Sequence, residues 1–257
     1  MSSVEKRYPR MKIDLNCDMG ESFGQYKLGN DEVVMPFITS ANIACGLHAG
    51  DPLVMQETIR LARQNNVAIG AHPGWPDLQG FGRREMNLSA AEVEAFVLYQ
   101  IGALAAFAKS EGVELRHVKP HGALYNQTAR DKNLADAIAR AVNSFDKNLI
   151  LVGLAGSALI QSGLGLGLRV DNEAFPDRRY NSDGTLVSRK QPKAIIESPD
   201  EVASHAVTLA KDGIDFSGQR VKVDTLCLHG DNVHAAENAR LVHMALEKQN
   251  IEVAAIA

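Results

Sequence analysis

Four short segments of this chain carry chemically capable side chains at every second position. Lys12-Ile-Asp-Leu-Asn-Cys-Asp18 sets Asp14, Asn16 and Asp18 on one face, and Leu115-Arg-His-Val-Lys-Pro-His121 does the same with His117, Lys119 and His121. Leu168-Arg-Val-Asp-Asn-Glu173 offers Arg169, Asp171 and Glu173, and Thr225-Leu-Cys-Leu-His-Gly-Asp231 offers Cys227, His229 and Asp231. Strand side chains alternate with period two, so each segment has one polar or charged face. Where parallel strands are covered by helices, such a face must point into a shared interior. Four of them predict a lined cavity.

The residue types define the chemistry available there. Asp18 and Glu21 bracket the end of the first segment, where a carboxylate pair can split into a base and an acid; Glu21 equally suits the backbone N–H groups of the following glycine turn. His48 and His72 follow the next two strands and suit proton transfer or hydrogen bonding. With Asp18 they would also make an Asp/His/His metal set, but no loop holds two histidines one helical turn apart, so no metal ligand is assigned. Lys119 can stabilise a developing oxyanion while His121 moves the proton. A buried lysine needs a carboxylate partner in any case, Asp14 or Glu173 here, and His117, deeper on the same face, belongs to that network. Arg83-Arg84 and Arg178-Arg179 lie in glycine-flanked loops and could fork onto a carboxylate, or simply be solvated. His229 and Asp231 share a face, so the aspartate can orient the imidazole, and Gly230 allows close approach of a ligand. Cys17, Cys45 and Cys227 are best read as small packing groups.

The elements that must position these groups alternate along the chain. The pattern predicts strands at 12–18, 37–43, 67–72, 117–121, 149–152, 168–173 and 223–228, with a closing edge at 251–253. Between them, Asp51-Pro52 starts a helix, Ser89-Ala-Ala-Glu92 is a capping box for a long apolar helix closed by Gly112, and Asp131 and Ser198 cap two more. Shorter helices fit 30–35 and 156–163, a final one fits 234–248, and Ser182-Asp-Gly184 fits a hairpin turn in the insertion after the sixth strand. Strands alternating with helices predict a parallel sheet. Seven units with polar residues at the strand C-termini favour an α/β barrel, with its site at that face, over an open doubly wound sheet.

The 257 residues suffice for one such barrel, expected at 12–257 after a disordered extension at 1–11. A net charge of -4 argues against a nucleic-acid surface. No apolar stretch approaches a membrane span, and the first ten residues have no apolar core for a signal. Three cysteines, an odd number, fit reduced thiols and a cytoplasmic location. No G-x-x-x-x-G-K-[ST] loop occurs, which excludes a P-loop nucleotide site.

Longer ungapped stretches carry a resemblance. Asp14–Ser22, Ala41–Asp51, Gly70-Ala-His-Pro-Gly74 with Gly80-Phe-Gly-Arg-Arg84, Lys119–Asn126 and Leu228-His-Gly-Asp231 together resemble the LamB/YcsF family over essentially the whole chain from Met11. That resemblance implies an irregular seven-stranded, TIM-like β/α barrel related to the polysaccharide deacetylases. It further implies the A component of an ATP-dependent 5-oxoprolinase, which works with B and C subunits to open 5-oxo-L-proline to L-glutamate using Mg-ATP. From the residue chemistry above, Asp18, His48, His72, Lys119 and His121 are the expected catalytic residues. Asn16, Glu21, Asn42, Arg84, Glu173, Arg178, His229 and Asp231 are the expected substrate contacts. No tightly bound metal, nucleic acid or membrane is expected; a homo-oligomer is compatible with the sequence. The competing readings are a metal-dependent deacetylase acting alone and a non-catalytic scaffold, the latter disfavoured by the charged lining. Lys119→Met is expected to abolish turnover with the fold largely intact.

Overall fold

The computed structural model describes residues 10–189, 191–230 and 234–256. Most of the expected N-terminal extension, and Asp231, lie outside the described residues. In chain order the elements are β1 (Lys12–Met19), α1 (Asp31–Val34), β2 (Ser40–Ala44), α2 (Pro52–Gln64), β3 (Ala68–His72), α3 (Ala90–Ser110), β4 (Leu115–Val118), α4 (Gly122–Thr128) and α5 (Lys132–Phe145). They continue with β5 (Ile150–Leu154), α6 (Ala158–Gly165), β6 (Arg169–Ala174), α7 (Pro199–Asp212), β7 (Ile214–Phe216), β8 (Gln219–Val221), β9 (Thr225–Leu228), α8 (Ala235–Lys248) and β10 (Glu252–Val253).

Seven parallel strands in the order β1-β2-β3-β4-β5-β6-β9 close into a barrel, because β1 pairs with both β2 and β9. β10 adds to the start of β1, pairing Lys12 with Glu252. The helix starts follow from the sequence. The Asp51 side chain accepts from the N–H groups of Leu53 and Val54, with Pro52 at the first helical position. Ser89 and Glu92 exchange both bonds of a capping box, and Asp131 accepts from Asn133 and Leu134.

The strand expected at 117–121 runs instead from Leu115 to Val118, and α4 has no counterpart among the expected elements. Three further features depart from the pattern. The strand expected at 37–43 starts only at Ser40, since Met35–Phe37 forms a 3-10 turn with Pro36 inside it. An antiparallel hairpin, β7–β8, has no counterpart in the expected elements; its turn holds Ser217 and Gly218 at positive φ, and the Ser-Gly pair is its sequence signal. α3 is 21 residues long and by length and composition apolar enough to cross a membrane, contrary to the sequence expectation. It buries Val93, Val97, Gln100, Ile101, Leu104 and Ala108, and Gln100 bonds the backbone of Gly74.

The β3–β4 register shifts between Ile69 and Gly70, so that Gly70 stands opposite His117. A Cβ on Gly70 would lie 2.3 Å from two atoms of the His117 ring. The glycine thus lets an imidazole lie flat against the neighbouring strand inside the barrel. Gly70→Ala is expected to destabilise the protein by about 1–3 kcal/mol, the usual range for overpacking a filled core. An unchanged urea midpoint would show that the ring can swing clear.

Candidate active site at the C-terminal mouth of the barrel

The inward residues of β1 organise the barrel interior in three layers. At the bottom, the Asp14 carboxylate accepts from the hydroxyls of Ser40 (2.6 Å), Thr39 (2.8 Å) and Thr225 (2.5 Å). Burial pushes its pKa up against those three bonds. In the middle, the Asn16 amide donates to Glu173 Oε1 (2.9 Å) and Thr225 Oγ1 (2.6 Å), and accepts from Asn42 at 2.7 Å. His117 Nε2 donates to Asn42 Oδ1 at 2.7 Å. At the top, Lys119 Nζ lies 2.8 Å from Asp18 Oδ1, 3.2 Å from Glu173 Oε1 and 2.9 Å from Cys227 Sγ.

Lys119 therefore sits between two carboxylates with only 2% of its surface exposed. Burial pulls its pKa down, but Asp18, the Cys227 sulfur and Glu173 outweigh it and hold the ammonium well above its ordinary value. Burial likewise pushes Asp18 up, and His72 and Lys119 override that to hold it well below the usual carboxylate range. The pair is charged, and Asp18 Oδ2 faces His72 Nε2 at 3.2 Å.

Beside this pair three histidines meet from different strand ends. His72 closes β3, and its Nδ1 lies 2.7 Å from the Lys119 carbonyl. His121 follows β4, with Nε2 2.9 Å from the Phe81 carbonyl and Nδ1 3.0 Å from His72 Nε2. His48 follows β2 and stacks on His121, centroids 3.8 Å apart. Glu21 approaches both His48 (3.8 Å) and His121 (3.7 Å). Glycines make the room: a Cβ on Gly74 would come within 2.5 Å of the His48 ring, and one on Gly82 within 2.8 Å of both His48 and His121. Gly82 also has φ of +62°, in the region glycine favours. Burial, with His121 and His72 adding to it, holds His48 well below its ordinary pKa; burial and His72 bring His121 down to about 3.

A cavity of about 940 Å³ opens above these groups, and Asp18, His72, Lys119, His121, Tyr125 and Phe175 reach it. All five expected catalytic residues, His48 included, lie within this one cluster, although His48 is behind the wall rather than on it. The expected substrate contacts divide. Asn16, Asn42 and Glu173 are no more than 1% exposed and bond to other side chains below the cavity, where they support Asp18 and Lys119. Glu21 turns to the histidines.

The two arginine pairs form no common fork. Arg84 binds the buried Asp77, Arg178 is itself buried and donates to the Val187 carbonyl at 2.6 Å, and Arg179 pairs with Glu201 outside the site. Arg84 and Arg178 still line the cavity, together with Arg83 and Arg189, so the wall is cationic. His229 is oriented by Asp177 (2.7 Å) and stacks on Phe175. Sequence pattern offers Asp231 for that role and misses Asp177, which comes from the loop after β6 and not from the same strand. Cys227, expected to serve as packing, touches the ammonium of Lys119. Spacing in the chain assigns no metal ligand because no single loop supplies two histidines; the barrel brings three together from separate strands.

Known proteins place this architecture. The chain is 53% identical over 247 residues to the A component of 5-oxoprolinase from Pyrococcus furiosus, an alignment covering 95% of this chain and 97% of that one. The crystal structure of the lactam utilization protein from Thermus thermophilus superposes with a TM-score of 0.88 at 49% identity, covering 96% of this chain and all of the other. A family 4 carbohydrate esterase from Streptomyces lividans shares the fold alone, with a TM-score of 0.53 at 11% identity and coverage of 96% and 93%. The model of the LamB/YcsF family matches residues 13–257, a span that holds every strand end of the site. Barrel, strand-end residues and family match agree: the chain belongs to the LamB/YcsF family.

Proposed function

We propose that this chain is the A component of an ATP-dependent 5-oxoprolinase, opening 5-oxo-L-proline to L-glutamate together with B and C subunits in the cytoplasm, with residues 12–257 acting as one catalytic domain. The observation that carries the reading is the charged Asp18–Lys119 pair at the floor of a cavity walled by arginines. The near full-length similarity to a protein named as a component of 5-oxoprolinase supports the substrate.

The chemistry follows from the weakness of an unstrained lactam as an electrophile. Transfer of a phosphoryl group from Mg-ATP to the carbonyl oxygen, with release of ADP, makes the carbon electrophilic. Water adds to it, the ring nitrogen departs to give γ-glutamyl phosphate, and a second water cleaves that acyl phosphate to glutamate and phosphate. Lys119, whose ammonium reaches the cavity, stabilises negative charge on the carbonyl oxygen. Asp18, held ionised, takes a proton from the attacking water and returns it to the departing ring nitrogen. The cationic wall of Arg83, Arg84, Arg178 and Arg189 suits the α-carboxylate and phosphate oxygens. With no P-loop in the sequence, nucleotide contacts are shared with the partner subunits.

The complete complex is expected to release phosphate and glutamate from ATP and 5-oxoproline, each dependent on the other, while the isolated chain does not. Full ATP-coupled turnover by the chain alone would remove the partner requirement. Acetate release from N-acetylated sugars without ATP would replace the reading by a deacetylase.

A further inference from the structure

Beside the Asp18–Lys119 pair, the histidine cluster presents hydrogen-bond acceptors to one another. A carbonyl oxygen only accepts, so the contact with Lys119 O fixes the proton of neutral His72 on Nδ1 and leaves a lone pair on Nε2. By the same rule the contact with Phe81 O fixes the proton of His121 on Nε2 and leaves a lone pair on Nδ1. Those two nitrogens face each other at 3.0 Å, and His72 Nε2 also lies 3.2 Å from Asp18 Oδ2, so a cation is called for at this point. Glu21 Oε1 adds a carboxylate oxygen 3.7 Å from His121 Nδ1 and 3.8 Å from His48 Nε2. His48 is 1% exposed, and neither of its ring nitrogens has a hydrogen-bond partner among the described residues. One donor atom from each of the four residues falls within 4.8 Å of all the others.

We infer that Glu21, His48, His72 and His121 form a binding site for one divalent transition-metal ion. Three imidazoles and a carboxylate make a borderline donor set suited to zinc or cobalt. Bonds of about 2.0–2.1 Å in a tetrahedron put ligand atoms about 3.3 Å apart, and the measured separations of 3.0, 3.7 and 3.8 Å straddle that value. The carbonyls on the far nitrogens of His72 and His121 supply the orienting bonds that metal-bound histidines commonly have. Burial keeps His48 and His121 neutral at neutral pH, the form that ligates. A proton on His72 is the competing cation. It would bridge to Asp18 or His121 but would leave His48 without a partner in a buried site, which a metal does not. The inference rests on this geometry and not on the reaction proposed above.

The test uses the full chain, stripped with a chelator and titrated with Co(II). One cobalt per chain is expected, with visible d–d absorption of a low-coordinate nitrogen/oxygen site. Glu21→Gln, His48→Ala and His121→Ala should each weaken Co(II) binding by at least the roughly 10–100-fold typical of losing an orienting partner. His243→Gln, on α8 away from the site, should leave binding unchanged. Circular dichroism and melting temperature check folding, and the isosteric Glu21→Gln carries the test if a histidine variant unfolds. No saturable binding, stoichiometric binding that survives both Glu21→Gln and His48→Ala, or nitrogen NMR showing His72 doubly protonated in the presence of Co(II), would overturn the site. None of these readouts depends on lactam opening.

Discussion

Lys119→Met is expected to lower stability by about 3–5 kcal/mol and to abolish turnover of the assembled enzyme. The ammonium is 2.8 Å from Asp18 and 3.2 Å from Glu173, and Glu173 is fully buried. Removing one partner of a buried ion cluster leaves the others uncompensated, which is what sets that magnitude. The intact fold expected for this variant from the sequence is therefore revised. Removal of a single well-placed electrostatic donor typically lowers kcat by about 10²–10³-fold, and here Asp18 also loses one of the neighbours, after His72, that hold it ionised. The two effects separate in Lys119→Met/Glu173→Gln, where one stranded carboxylate becomes a neutral amide. That double variant should recover part of the stability and none of the turnover. A single variant with a native urea midpoint, or a folded one with normal activity, would remove Lys119 from the site as described.

Stability should also fall steeply between pH 6.5 and 5, well above the range in which carboxylates titrate. His48, His117 and His121 are each at most 3% exposed. Burial, aided by the Lys119 charge, brings His117 to about 3; burial and His72 bring His121 to about 3; and burial holds His48 well below its ordinary value. Unfolded, each takes up a proton near pH 6.5; folded, each stays neutral. The stability they contribute is thus complete above about pH 6.5 and is lost as pH falls toward the folded values. One such group gives a slope of about 1.4 kcal/mol per pH unit, and the three together about 4. Asp18 acts in the same direction, but only below about pH 4, because its folded pKa is depressed. Urea midpoints measured from pH 7.5 to 5 should track proton uptake on unfolding of up to three protons. A flat profile over that range would mean that these rings are protonated in the folded protein or open to water.

β1, β4, β6 and β9 are legible in the sequence because their polar residues obey a period of two. That period alone puts Asp14, Asn16 and Asp18 on one inward face, and all three are buried there. Helix starts at Asp51, Ser89 and Asp131 are legible because capping is local, between residues two or three apart. The hairpin at Ser217-Gly218 escapes the pattern although its signal is equally local. The protein partners of the loop arginines are hidden for a different reason. A guanidinium in a loop binds whichever carboxylate or carbonyl the folded loops bring near, and for Arg84 and Arg178 these are Asp77 and Val187.

Sequence alone determined the parallel barrel, its polar interior and the face at which the cavity opens, since each depends on periodicity and on residues close in the chain. Only the tertiary structure decided which of those polar groups reach the cavity and which are buried beneath it. Asn16, Asn42 and Glu173 carry the same side-chain chemistry as the groups that reach the cavity, yet barrel closure turns them onto other side chains beneath it. The joining of His48, His72 and His121 was equally hidden. They come from three separate strand ends, and no spacing in the chain records that a closed sheet, with glycines at 74 and 82 to make room, brings their nitrogens together around Glu21.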